Sequence, residues 1–67
     1  MSMHITINSK LCELPEGATV TDALLAIQAK PPYAVAVNTV FVPAHQHPQH
    51  LLQAGDQMEV ISPVTGG

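Results

Sequence analysis

The chain contains no tryptophan and no arginine, and only one phenylalanine, one tyrosine, one cysteine and two lysines in 67 residues. A single cysteine, Cys12, excludes an internal disulfide and a zinc site built from several thiolates. Two lysines against five acids leave a net charge of −3. No basic surface is available to neutralise a nucleic-acid backbone, and no nucleic-acid partner is expected. No apolar run approaches the roughly 20 residues that span a bilayer, and Met1-Ser2-Met3-His4 lacks the charged and apolar regions of a signal peptide. A cytoplasmic protein with no membrane partner is expected. Gly55-Asp56 lacks the Lys and Ser/Thr of a phosphate-binding loop, so the chain is not expected to bind ATP by itself. No Ser, Cys or carboxylate stands in a recognisable triad, and catalysis by the chain alone is not expected.

What is present is apolar material in short periodic runs, 46% hydrophobic against 10% charged, enough to offset the entropy of ordering one small domain. Met3, Ile5 and Ile7 alternate with His4, Thr6 and Asn8, the period of a strand with one buried face. Asn8-Ser9-Lys10 supplies turn formers, and Leu11 to Leu14 returns as an antiparallel partner until Pro15-Glu16-Gly17. Thr19, three residues before Asp22, caps a helix start. Val20, Ala23, Leu24 and Ile27 then form one apolar stripe, and Pro31-Pro32 forbids helix beyond about Lys30. Ala34 to Val37 and Val40 to Val42 read as two short strands or one bent strand, with Asn38-Thr39 between them. The His- and Gln-rich stretch from Ala44 to Ala54 carries one apolar pair, Leu51-Leu52, able to pin a short helical turn to the core. After Gly55-Asp56, Gln57 to Ile61 forms a last strand with Met58 and Val60 inward, ended by Ser62-Pro63. The order predicts an α+β, β-grasp (ubiquitin-like) fold: a mixed sheet of four to five strands with one main helix across one face. In that topology the first and last strands are parallel central neighbours. The expected division is a domain over residues 1–62 and a flexible carrier tail over 63–67.

That tail ends in Gly66-Gly67. Glycine has no Cβ, so such an end can thread a narrow cleft and present its carboxylate to another protein. Fully extended, Pro63 to Gly67 spans roughly 15 to 18 Å. Gly66 and Gly67 would lie deepest, Val64 and Thr65 at the channel mouth, while Phe41 and Ile61 on the outward sheet face offer a small apolar docking patch.

His45, His47 and His50 could in principle hold zinc. They sit in a polar stretch beside Pro48 with no carboxylate to orient them, so they read as solvated loop histidines and no metal is expected. Cys12 reads as a small buried hydrophobe; the alternative, a reactive thiol, needs a nearby cation, for which Lys10 is the local candidate.

Taken together, Val35-Ala36-Val37-Asn38, Val42-Pro43, the Gly55-Asp56 turn before Met58-Glu59-Val60-Ile61, and the terminal Gly66-Gly67 resemble the ThiS family, ubiquitin-like sulfur carriers of thiamine biosynthesis. The likeness covers nearly the whole chain. The family often has a basic residue after Val-Pro; Ala44 stands there in this chain, which removes a local charge contact with a partner. The resemblance implies that an E1-like adenylyltransferase of the ThiF type uses ATP and magnesium to adenylate the Gly67 carboxylate. Sulfur from a persulfide donor then yields a thiocarboxylate, which a thiazole synthase of the ThiG type consumes. Three other roles share the tail or the body: the small subunit of molybdopterin synthase, a ubiquitin-like protein modifier, and an interaction module with an idle tail.

Overall fold

A computed structural model describes residues 1–62; the 63–67 segment, with the expected carrier tail and Pro63, Val64, Thr65, Gly66 and Gly67, lies outside the described residues. Strand β1 (Ser2–Ile7) buries Met3, Ile5 and Ile7 on one face, as the alternation requires. It pairs antiparallel with β2 (Lys10–Pro15) in a register that runs from Ile7 opposite Lys10 to Ser2 opposite Pro15. Pairing therefore continues through Pro15 instead of stopping before it, which an edge strand tolerates because its outer N–H has no ladder partner to lose. Asn8 and Ser9 both take left-handed backbone conformations, φ 52° and 70°, the two-residue turn whose twist suits a hairpin.

Helix α1 (Val20–Ala26) starts on a complete capping box: the Asp22 N–H donates to Thr19 Oγ1, and the Thr19 N–H donates to Asp22 Oδ2. The Val20 and Thr21 N–H groups, otherwise without helical partners, donate to the carbonyls of His50 and His47. The helix ends four residues before the limit set by the Pro-Pro pair. Gln28 takes φ 59°, its N–H donates to the Leu25 carbonyl, and that of Ala29 donates to Leu24. This is a Schellman termination with glutamine in the position usually held by glycine. Val20, Ala23 and Leu24 are buried, and the half-buried Ile27 packs against the same core.

The next segment forms two strands, β3 (Ala34–Val37) and β4 (Val40–Val42), joined by Asn38 and Thr39 at φ 52° and 68°. The helical turn of the following loop lies at Ala44–Gln46, not beside the Leu51-Leu52 pair. Leu52 is buried, and Leu51 is exposed while bridging to Thr19. Strand β5 (Gln57–Ile61) is parallel to β1 and antiparallel to β3, giving the order β2-β1-β5-β3-β4 in one five-stranded sheet. That arrangement, with the helix stripe and one sheet face closed around Ile5, Met58, Val20 and Val35, is the β-grasp fold. Cys12, opposite Ile5, packs against the core but is only half-buried. No helix among the described residues is long and apolar enough to cross a membrane.

Candidate functional site

The part of the sheet from which the C-terminal segment departs is built by β5 and its two neighbours. Met58 is buried and Val60 half-buried on the helix side, as alternation demands. Gln57, Glu59 and Ile61 therefore face outward. Across the ladder Ile61 stands opposite Ala34, Glu59 opposite Ala36, and Ala36 opposite Phe41 of β4. Phe41 and Ile61 are both about three-fifths exposed, 63% and 61%. They share one face with two alanines between them, whose small side chains leave the larger ones standing free. Glu59 puts a carboxylate into this apolar area, so the face as a whole suits a partner that is apolar with one complementary cation.

Both ends of β5 are held by asparagine side chains from the hairpin turns. Asn38 Oδ1 accepts from the Gln57 N–H, and its Nδ2 donates to Asp56 Oδ1, each at 3.0 Å. At the far end the Val60 N–H donates to Asn8 Oδ1 at 2.9 Å, and Asn8 Nδ2 donates to the Val60 carbonyl at 3.3 Å. The sequence marks both residues only as turn formers. The signal in hindsight is that each opens a two-residue turn demanding positive φ, where Asn is favoured over other non-glycine residues for its backbone and leaves a carboxamide free to reach a neighbour.

A depression over the outer face is lined by Thr6, Ser9, Thr39, Gln57, Met58 and Glu59. Thr39 Oγ1 donates to the adjacent Asn38 carbonyl, so its hydroxyl is committed to the turn. Among the described residues, no group of three or more His, Cys, Asp or Glu side chains is close enough to hold a metal ion.

The loop histidines do not behave alike, which corrects the expectation that all three are solvated. His45 is exposed and His50 half-buried, but His47 is buried at 6% exposure. Its Nε2 lies 3.0 Å from the Val42 carbonyl, and its ring stacks on Tyr33 with centroids 6.1 Å apart. A backbone carbonyl left bare where β4 ends recruits the nearest donor, and the 3-10 turn at Ala44–Gln46 carries His47 back to it.

Comparison with known proteins agrees with this architecture. A model of the ThiS family matches residues 4–67. The sulfur carrier protein ThiS of Escherichia coli (strain K12) is 33% identical over 66 residues, covering 97% of this chain and all of that protein. The crystal structure of the thiamine biosynthesis protein ThiS from Geobacter metallireducens superposes with a TM-score of 0.80 at 23% identity, over 97% of this chain and all of that one. At that identity the likeness speaks for the fold. The family match over nearly the whole length and the curated relative at one-third identity carry the assignment: this chain belongs to the ThiS family.

Proposed function

We propose that the chain is a sulfur carrier of thiamine biosynthesis, and that the carboxylate of Gly67 is the group that is loaded. The observation that carries this reading is the position of β5. It lies inside the sheet, between β1 and β3, and the sequence runs on from Ile61 through Ser62 to Gly66-Gly67. A carboxylate is a poor electrophile. Its oxygen must become part of a leaving group, here AMP, before a sulfur nucleophile can displace it at the carbonyl carbon. In this reading an E1-like adenylyltransferase makes the adenylate from ATP and magnesium. The outer sulfur of a persulfide donor displaces AMP to give an acyl disulfide. A thiol then cleaves the S–S bond by forming a disulfide with the donor sulfur and releases the thiocarboxylate, and a thiazole synthase consumes it.

The chain itself contributes no catalytic group to these steps. It carries the sulfur and supplies recognition, with Phe41 and Ile61 docking the body while Pro63, Val64, Thr65 and Gly66 lie along the partner's channel. The partners act in the cytoplasm. The curated relative's name favours the thiamine route over the molybdopterin one. Intact-mass spectrometry after incubation with the activating enzyme, ATP, a persulfide source and a thiol reductant tests the reading. A species heavier by one oxygen-to-sulfur exchange in the C-terminal peptide is expected. A chain that stays unmodified, or one in which deletion of Gly67 leaves sulfur loading intact, overturns it.

A further inference from the structure

Backbone pairing between β1 and β5 is confined to Thr6 with Gln57 and Ile7 with Met58. The Thr6 N–H donates to the Asp56 carbonyl and the Asn8 N–H to the Met58 carbonyl, so alternate residues from Asp56, just before β5, direct their backbone groups toward β1. The next in that series is Val60. By then β1 has reversed into its hairpin, and no strand continues beside Val60. The Asn8 carboxamide takes the strand's place, accepting from the Val60 N–H at 2.9 Å and donating to its carbonyl at 3.3 Å. A carboxamide carries the same donor and acceptor pair as a peptide unit, so this side chain works as one further residue of β1, reaching β5 across 52 positions of sequence.

We propose that Asn8 is the positioning residue for the reactive C-terminus: its carboxamide fixes the direction in which the chain leaves the sheet, and so where the Gly67 carboxylate arrives in a docked partner. The inference rests on the sulfur-carrier reading. Val60 is held on its other side by β3, opposite Val35. Loss of the carboxamide would therefore leave β5 paired with β1 at Gln57 and Met58, but held along one edge only from Val60 onward. Misplacement of a reacting atom by about 1 Å is already enough to cost a large part of the rate.

Three variants separate positioning from general destabilisation. Asn8→Gly keeps the positive φ at no steric cost and removes the carboxamide. Asn8→Asp keeps size and backbone preference but turns an acceptor oxygen toward the Val60 carbonyl. Asn38→Gly removes the corresponding carboxamide at the other end of β5. Hydrogen exchange at the Val60 amide and the kinetics of ATP-dependent sulfur loading, with the carrier as varied substrate, are the readouts. For both Asn8 variants, Val60 exchange rises about tenfold, kcat falls about tenfold and KM stays within about twofold, because β3 still holds Ile61 opposite Ala34 and Phe41 opposite Ala36, so the docking face is kept. Asn38→Gly, at a comparable loss of Tm, loads at the wild-type kcat. An Asn8→Gly protein that loads as fast as wild type, or an Asn38→Gly protein that slows equally, overturns the proposal. A wild-type chain that never acquires sulfur overturns the carrier reading, and the positioning role falls with it.

Discussion

The imidazole of His47 donates from Nε2 to the carbonyl oxygen of Val42 across 3.0 Å. Since a carbonyl can only accept, the nitrogen facing it carries the proton. The same residue's own carbonyl accepts from the Thr21 N–H at 3.2 Å, and its ring lies against Tyr33. One loop residue thus ties the end of β4, the start of α1 and the approach to β3 together. It does so in a loop that by composition reads as solvated.

Replacing His47 with alanine is expected to lower stability by about 2 kcal/mol, because a buried acceptor loses its donor and the ring's packing goes with it. His45→Ala, at an exposed position, should stay within about 0.5 kcal/mol of the parent. Urea denaturation of the two variants decides the matter, and equal midpoints would refute the account of His47.

Gln28 ends the helix at φ 59°, a conformation that costs a residue with a Cβ roughly 1 kcal/mol. Gln28→Gly should therefore stabilise the protein by about 0.5 to 1 kcal/mol, partly offset by the greater freedom of the unfolded chain. A raised Tm by calorimetry is the expected result.

Thr19 and Asp22 satisfy each other's backbone N–H groups. Each alanine substitution should cost about 1 kcal/mol. The double variant should cost less than the sum of the singles, since either change already breaks the reciprocal box. Strict additivity in a double-mutant cycle would show that the two bonds act independently.

Phe41 and Ile61 are exposed on the outer face, so truncating both to alanine should change stability by less than about 1 kcal/mol. If they dock the activating enzyme, KM for the carrier should rise by about tenfold or more, with kcat retained. An unchanged KM would remove this face from the docking surface. The contrast with the Asn8 variants, in which kcat changes and KM does not, separates recognition by the body from delivery of the tail.

The parts of the fold legible in the chain were those set by near neighbours. The alternation of Met3, Ile5 and Ile7, the Thr19 cap, the stripe of Val20, Ala23 and Leu24, and the turn formers at Asn8-Ser9 and Asn38-Thr39 all follow from local geometry. Each is an element whose partner groups lie within a few residues. The outward placement of Phe41 and Ile61 followed from the same period-two reasoning. The parallel pairing of β1 with β5 came from recognising the order of elements as a β-grasp fold.

Sequence by itself thus determined the elements, their order, the apolar faces they bury and the family to which they belong. Tertiary structure alone decided the fate of the polar side chains: which histidine is buried and that Asn8 reaches Val60. The physical reason is that apolar burial is written into the spacing of residues along one element. A carboxamide or imidazole, by contrast, is claimed by whichever backbone group another element leaves without a partner, and that group comes within reach only when the chain has folded.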